Sequence, residues 1–224
     1  MRELIVVRHG ESTANAAFAR AEAEGLVDAG IGGRDADVPL SEVGRAQSAG
    51  LGRWLAALPD EEFPEVAVVS PYRRAGQTLR IAFGEVRAVG RAVPEAVVDD
   101  RLRDRVTGEL ELLTRAAIDA RYPAEAARRA TAGEFEYRPP GGESMMDVAD
   151  RLREFHADAA ERFAGRRVLV VAHDAVVLML RHVIEGLPIR ELQSVVPVRN
   201  ASVTRWVSDA GGLKLAGYNG SVQR

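Results

Sequence analysis

The stretch "ELIVVRHGESTAN", residues 3–15, joins the pattern of a buried strand to a charged tip. Residues 4–7 form a continuous apolar run, which is typical of a strand covered on both faces of its sheet. The run ends directly in Arg8, His9 and Gly10, without a turn residue before the charges. Because α/β proteins bind ligands beyond the carboxyl ends of their strands, this stretch predicts a functional site at the strand tip.

Two further segments repeat this pattern. Residues 66–69 and 167–172 are short apolar runs that each end in a polar residue, and amphipathic stretches with helical spacing lie between the runs. Apolar strands that alternate with amphipathic helices predict an α/β fold, here a three-layer α/β/α sandwich with a mostly parallel, doubly wound sheet. We expect residues 1–224 to form a single domain of this kind, because no repeat, linker or low-complexity tract divides them.

Two local patterns predict details of this fold. Ser70 followed by Pro71 is typical of a helix start, with the serine as cap and the proline at the first helical position. Residues 201–207 and 213–218 predict two strands joined by a turn, which would form a hairpin at one edge of the sheet. An edge strand can pair with a second copy of the chain, so a homodimer is an open alternative.

The composition excludes several classes of protein. The formal net charge is -3 at pH 7, which favours neither a nucleic acid nor a membrane surface as a partner. The chain has no cysteine, which excludes disulfides, zinc–thiolate sites and thiol catalysis. The first residues enter a strand without the pattern of a signal peptide, and the apolar runs are too short to span a bilayer. A cytoplasmic location is therefore expected.

Polar side chains follow all three predicted strands and would meet at one edge of a parallel sheet. They are Arg8 and His9 after the first strand, Ser70, Arg73 and Arg74 after the second, and His173 and Asp174 after the third. Guanidinium groups match phosphate oxygens in pairs of hydrogen bonds, and helix N-termini add partial positive charge. The sequence therefore predicts a phosphate pocket, which fits a small phosphorylated substrate.

A histidine in such a pocket indicates chemistry beyond binding. A neutral imidazole is a nucleophile towards phosphorus, and neighbouring arginines lower its pKa so that it stays neutral. The same arginines can stabilise a transferring phosphoryl group, so no metal and no cofactor is expected. The leaving oxygen also needs a proton. The stretch "DDRLRDRVTGE", residues 99–109, supplies Asp104 as the candidate acid and Glu109 as its alternative.

The stretch "VVRHGES", residues 6–12, is part of an ordered set of motifs. The others are "DVPLSEVGRAQ" (37–47), "VVSPYRRAGQT" (69–78), "RLRDRVTG" (101–108), "PGGES" (140–144), "VLVVAHDA" (168–175) and "NASVT" (200–204). Together they resemble the signature of the histidine phosphatase superfamily, the phosphoglycerate mutase-like proteins of the branch 1 type. The resemblance covers nearly the whole chain and implies a three-layer α/β/α fold and catalysis through a phosphohistidine.

The resemblance also implies roles for single residues. His9 would be the nucleophile that becomes phosphorylated, and Asp104 would lie where the family has its proton donor. Arg73 would be a surface neighbour of the catalytic arginine. The residues implied to hold the phosphoryl group or substrate are Arg8, Arg74, His173 and Asn15.

Three departures from the family pattern raise further expectations. Asp104 stands where many relatives have glutamate, so the side chain is one methylene shorter and the position of the acid relative to the leaving group is expected to change. Asp174 replaces a glycine beside the second histidine and is expected to raise the pKa of His173. Residues 18–36 include a segment longer than in compact relatives. Together with residues 109–143, they are expected to form lids or specificity insertions.

Four functions remain open at this stage. A phosphomonoester phosphatase is favoured over a phosphoglycerate mutase, because the tail after Tyr218 is short and Thr107 replaces the aromatic hydroxyl usual in those mutases. Arg115, Arg128 and Arg129 could nevertheless bind the carboxylate of a mutase substrate. A phospholigand-binding protein without turnover would not need both a nucleophile and an acid. A metallohydrolase is disfavoured because no metal-ligand spacing is evident.

Overall fold

The computed structural model describes residues 1–221 and contains one six-stranded sheet. Its strands are β1 (Glu3–Arg8), β2 (Val66–Val69), β3 (Ala96–Val98), β4 (Arg167–Ala172), β5 (Val203–Asp209) and β6 (Gly212–Gly220). The strand order is β3-β2-β4-β1-β5-β6. The first four strands are mutually parallel, whereas β5 and β6 form an antiparallel hairpin on the outer side of β1. The predicted parallel sheet and its edge hairpin are both confirmed.

Helices cover both faces of the sheet. They are α1 (Thr13–Glu24), α2 (Glu42–Ala56), α3 (Arg73–Ala88), α4 (Arg115–Arg121), α5 (Pro123–Ala132), α6 (Met145–Arg162), α7 (Asp174–Glu185) and α8 (Ile189–Leu192). Helices α2 and α3 share one core with Ile5 and Val7, while α6 and α7 share the opposite core with Leu4 and Val6. Since successive strand residues face opposite sides, this arrangement explains the continuous apolar run of β1. The three-layer prediction is therefore confirmed.

Serines that precede stretches with helical spacing predict further helix caps at Ser12, Ser41 and Ser144, and the helix starts follow the predicted caps except at Ser70. Ser12 caps α1 and Ser144 caps α6, each in a capping box with the third residue of its helix. The predicted cap at Ser70 is wrong, because α3 begins at Arg73 with Tyr72 as its N-cap residue. The chain needs two residues to turn from the sheet edge into α3, and this leaves the Ser70 hydroxyl at the tip of β2.

A close backbone contact fixes the loop that follows β1. A Cβ atom on Gly10 would lie 2.4 Å from the carbonyl oxygen of Gly44 in the first turn of α2. A Cβ atom on Gly44 would lie 1.9 Å from the carbonyl oxygen of Glu11. Only glycine allows two backbones to approach this closely. The contact holds the backbone beside His9 against a helix.

The long segment between β3 and α6 is less regular than its composition predicts. Residues 109–131 are expected to be helical with a break at Pro123. In the structure a 3-10 turn at Gly108–Leu110 precedes α4, and Pro123 is the first residue of α5. Proline suits this position because its missing N–H would be unpaired there in any case. Throughout the part of the chain that the structure describes, every helix is too short or too polar to cross a lipid bilayer.

Candidate active site

The carboxyl ends of three adjacent parallel strands form the candidate site. Strand β1 ends in Arg8 and leads to His9, β2 leads to Ser70, and β4 leads to His173. The register pairs Arg8 with Ala172. The next residues, His9 and His173, are therefore neighbours at the ends of β1 and β4. Their ring centroids lie 5.1 Å apart. The fold thus brings together residues that the sequence separates by more than half of its length.

His9 is held in one tautomer by its neighbours. Its Nδ1 lies 2.6 Å from the carbonyl oxygen of Gly10, which can only accept a hydrogen bond, so Nδ1 carries the proton. Its Nε2 accepts a hydrogen bond of 3.1 Å from Nε of Arg74. The imidazole is therefore neutral, with the lone pair of Nε2 directed towards the arginine. The ring is 2% exposed, so water does not compete for these contacts.

The surroundings of His9 keep it neutral well into the acidic range. Burial lowers the pKa of His9 well below its ordinary value of 6.5, because a charged ring would lose its hydration. Electrostatic interactions with His173, Arg74 and Arg8 lower this pKa further, in that order. The hydrogen bond to Gly10 acts in the opposite direction but is the smallest of these effects. A neutral imidazole is the form that can act as a nucleophile.

This lowered pKa makes the stability of the protein depend on pH. Below about pH 6.5 the unfolded chain binds a proton that the folded protein excludes, so stability is lost as the pH falls towards the folded pKa. We expect His9→Gln to lose less free energy of unfolding than the wild type between about pH 7.5 and about pH 5.5. Urea denaturation at several pH values would measure this. Equal losses in both proteins would contradict the shift.

Arg74 occupies the centre of the site and is fully hydrogen-bonded. Its side chain is 4% exposed. Two of its nitrogens bind the carboxylate of Asp35 at 2.8 and 3.0 Å, and Nη2 also binds Asp104 Oδ2 at 2.8 Å. Burial alone would lower the pKa of Arg74, but the charges of Asp104 and Asp35 outweigh it and raise this pKa. Arg74 therefore stays cationic and orients His9 and Asp104 relative to each other.

Arg8 and His173 each present an unpaired buried nitrogen at the site. Arg8 Nη1 donates to the carbonyl oxygen of Val198, and Nη2 lies 3.1 Å from Asp174 Oδ2. His173 Nε2 lies 2.8 Å from Ser70 Oγ. Within residues 1–221, the buried side-chain atoms without a hydrogen-bond partner are Arg8 Nε, His173 Nδ1 and His156 Nδ1. Since unpaired buried donors are costly, the first two are suited to receive oxygens of a bound anion.

Asp104 lies between Arg74 and His173. Its Oδ2 is 3.2 Å from His173 Nδ1, although the two atoms are not aligned for a hydrogen bond. Burial alone would raise the pKa of the Asp104 carboxyl, but electrostatic interactions with His173 and Arg74 outweigh burial and hold this pKa well below 3.8. Asp104 is thus a carboxylate in the unliganded protein. It belongs to the site rather than to a surface cluster with its neighbouring arginines.

The remaining predicted residues divide between the site and the surface. Asn15 lines the cavity, closes the capping box of α1 and accepts a 3.3 Å hydrogen bond from Asn200. Glu109 is exposed and lies outside the cavity, so the structure does not bring this alternative acid to the site. Arg73 is exposed as predicted. Asp174, expected to act on His173, instead pairs with Arg8.

Three side chains of the site could in principle hold a metal ion. The ligand atoms of His9, Asp104 and His173 all lie within 4.8 Å of one another. The spacing of these residues in the sequence did not reveal the cluster, because they come from three distant segments. Arg74 already donates hydrogen bonds to both His9 Nε2 and Asp104 Oδ2. A guanidinium at these atoms favours an anion over a second cation.

A cavity of about 1180 Å³ opens in front of these residues. Residues from both predicted insertion segments line it, among them Phe18, Leu26, Ile118 and Tyr137. The two segments also contact each other, since the Asp35 N–H donates to Glu111 at 3.0 Å. The cavity is large enough for a leaving group several times the size of a phosphate.

Sequence reasoning missed two contributors to this site, Tyr72 and Asp35. Ser70 was placed at the sheet edge from the sequence, and it contacts His173 there although it does not cap α3. The Tyr72 ring lies 5.0 Å from the His173 ring and 4.9 Å from the guanidinium carbon of Arg74. Asp35 lies in a segment expected to form a lid or specificity insertion. No pattern in the sequence connects it with Arg74.

Comparison with known proteins identifies relatives across the whole chain. Residues 4–221 match the model of the histidine phosphatase superfamily (branch 1). A glucosyl-3-phosphoglycerate phosphatase of Mycolicibacterium vanbaalenii is 30% identical over 99% of this chain and 89% of its own. A 2,3-bisphosphoglycerate-dependent phosphoglycerate mutase 2 of Gloeobacter violaceus is 36% identical over 77% of this chain and 71% of its own. The structure of mycobacterial glucosyl-3-phosphoglycerate phosphatase with inorganic phosphate covers all of both chains at 27% identity and a TM-score of 0.75.

Proposed function

Because the chain belongs to branch 1 of the histidine phosphatase superfamily, we propose that it hydrolyses phosphomonoesters through a phosphohistidine on His9. The observation that carries this proposal is the neutral, buried His9, whose Nε2 faces Arg74 while Nδ1 is bonded to Gly10. A nucleophilic nitrogen beside a buried guanidinium is suited to phosphoryl transfer and has no evident use in a protein that only binds phosphate.

The reaction we propose has two displacement steps at phosphorus. In the first, His9 Nε2 forms the bond to phosphorus and the bond to the ester oxygen breaks. Arg8, Arg74 and His173 hold the three non-bridging oxygens, whose charge they stabilise. In the second step, water attacks the phosphohistidine and releases inorganic phosphate, which restores the neutral imidazole.

Asp104 carries the proton in both steps. It is ionised before substrate binds, because positive neighbours lower its pKa. A bound phosphate offsets these charges, so the pKa of Asp104 rises and the carboxylate takes the proton of a monoanionic ester. Asp104 then gives this proton to the leaving alkoxide. The carboxylate that results accepts a proton from the attacking water and passes it to the phosphate that leaves, so Asp104 is ionised again.

Two of the three arginines that could bind the carboxylate of a mutase substrate are already paired with acids, which favours a phosphatase over a mutase. Arg128 lies outside the cavity and pairs with Glu125 at 2.7 Å, and Arg129 pairs with Glu134 at 2.8 Å. The third, Arg115, lines the cavity and is the remaining candidate for a carboxylate. Of the short tail that the sequence argument used, residues 222–224 lie outside the described residues.

The proposal extends to the substrate, the cellular location and the oligomeric state of the protein. The relatives named glucosyl-3-phosphoglycerate phosphatase make phosphorylated sugar acids the first natural compounds to test. Residues 18–36 and 109–143 would act as the segments that select the leaving group, because both line the cavity. Action in the cytoplasm and assembly into a homodimer stay predictions from the sequence.

Hydrolysis of p-nitrophenyl phosphate in excess EDTA tests the proposed function. We expect turnover that EDTA does not change, because guanidinium groups supply the positive charge that a metal would otherwise provide. Loss of activity in EDTA with recovery on adding a divalent metal would instead assign the His9, Asp104 and His173 cluster to a metallohydrolase. Interconversion of 2- and 3-phosphoglycerate without net phosphate release would favour the mutase.

A further inference from the structure

Both arginines of the site are paired with aspartates that the proposed reaction does not use. Arg74 binds the carboxylate of Asp35 with two nitrogens, and its Nη1 also donates to the Asp35 carbonyl oxygen at 2.7 Å. Arg8 Nη2 lies 3.1 Å from Asp174 Oδ2. In each pair a carboxylate faces the nitrogens that a phosphoryl group needs. The positive charges of the two arginines are thus already neutralised by the carboxylates of Asp35 and Asp174.

We propose that Asp35 and Asp174 are resident anions that a substrate phosphate must displace, and that they set the anion selectivity of the site. The inference rests on the proposed function, because it takes Arg8 and Arg74 as the phosphoryl-binding residues. Two parallel N–H bonds to one carboxylate mimic the way a guanidinium holds two phosphate oxygens. The Asp35 carboxylate therefore imitates part of the substrate.

The location of Asp35 allows it to leave. It begins a 3-10 turn, Asp35–Asp37, after an exposed loop rich in glycine. Its side chain is 21% exposed, against 4% for Arg74, so the arginine is fixed in the core and the aspartate approaches it from the rim. The turn is held by three side chains: Glu111 accepts from the Asp35 N–H, Arg74 binds Asp35, and Arg73 Nη1 donates to the Asp37 carbonyl oxygen at 3.4 Å.

The charges explain how such a pair selects among anions. Each aspartate contributes one negative charge. A monoanion can therefore replace only one aspartate, because displacing both would leave one arginine without an anionic partner. A dianionic phosphate monoester presents three oxygens and two charges, which can satisfy both arginines at once. The two aspartates thereby favour phosphate monoesters over phosphodiesters and carboxylates. They also weaken the binding of inorganic phosphate, which would limit inhibition by the product.

The two aspartates differ in exposure and therefore in expected effect. Asp174 is 49% exposed and also accepts a hydrogen bond from the N–H of Ala175 at the start of α7. Solvent screens an ion pair at this exposure. Asp35 forms the more buried pair and has two nitrogens of one arginine as partners. We therefore expect most of the effect at Asp35.

Binding of inorganic phosphate, measured by calorimetry at a pH where it is a dianion, tests this inference without turnover. We expect Asp35→Asn to bind phosphate about tenfold more tightly than the wild type and Asp174→Asn to gain less. The control Asp37→Asn changes an exposed aspartate of the same turn and should leave the affinity unchanged. Glu111→Ala loosens the turn without touching Arg74, so it should also tighten phosphate binding if displacement of Asp35 limits affinity.

The outcomes separate this inference from the proposed function. Equal or weaker phosphate binding by a folded Asp35→Asn variant would overturn it and would mean that Asp35 holds Arg74 in place for the substrate. The proposed function would then still stand on the hydrolysis of p-nitrophenyl phosphate. A lack of phosphate binding by the wild type and all variants would overturn both. A larger gain for acetate than for phosphate in Asp35→Asn would support the assigned role in anion selectivity, whereas equal gains for the two anions would overturn that role.

Discussion

The variant His9→Ala is expected to lower kcat for p-nitrophenyl phosphate by about 10,000-fold or more while the protein stays folded. Removal of a nucleophile forces water to attack the ester directly, and removal of one member of a catalytic group in other hydrolases costs at least this much. The fold should survive, because His9 follows β1 and contributes its ring to the site rather than to either apolar core. Steady-state kinetics together with circular dichroism would measure both effects.

A second histidine provides the control for this experiment. His156 lies in α6, outside the cavity, and has a half-buried ring whose Nδ1 has no partner within residues 1–221. His156→Ala therefore removes a half-buried imidazole without touching the site and should keep kcat. More than a trace of activity in His9→Ala would remove His9 from the role of nucleophile.

The variant Asp104→Asn is expected to slow hydrolysis of alkyl phosphates by about 100- to 10,000-fold, the range typical of a lost general acid. An alkoxide leaves only with a proton, which asparagine cannot supply. p-Nitrophenolate leaves without one, so the first step on p-nitrophenyl phosphate should be slowed far less. Parallel kinetics with the two kinds of substrate measure the ratio of the two losses.

The ratio is informative because Asp104 also contacts Arg74 and His173. Disturbing these neighbours would slow all substrates alike, whereas loss of the proton donor depends on the leaving group. Asp100→Asn is a suitable control, since Asp100 is exposed and pairs with Arg103 away from the cavity. Because Asp104 also acts on water in the second step, which all substrates share, the comparison uses kcat/KM, which reports the first step alone. Equal losses of kcat/KM on alkyl and aryl phosphates would exclude Asp104 as the donor.

Most of the fold could be predicted because its buried strands are continuous apolar runs in the sequence. Strand β1 is apolar at each of four successive positions, and alternate residues enter the two cores on opposite faces of the sheet. Serine caps marked the starts of α1, α2 and α6. The four-residue helix α8 was missed, because a single turn has no periodicity to detect.

The site could be predicted only in part, for a physical reason. The positions of residues at the strand ends follow directly from the sheet. Arg8, His9 and His173 could therefore be placed at the site from the sequence. The partners of these residues depend on how loops return to the sheet. The contact between Asp35 and Arg74 spans 39 residues and leaves no periodic trace. The roles of all these residues stay predictions until variants are tested.

The stereochemical course of hydrolysis tests the central claim most directly. A phosphorothioate monoester made chiral at phosphorus with two oxygen isotopes would be hydrolysed in water that carries the third isotope, and the configuration of the thiophosphate product determined. A phosphohistidine requires two in-line displacements, each with inversion, so the account predicts overall retention. Inversion would mean that water attacks the substrate in a single step and would contradict a covalent intermediate on His9.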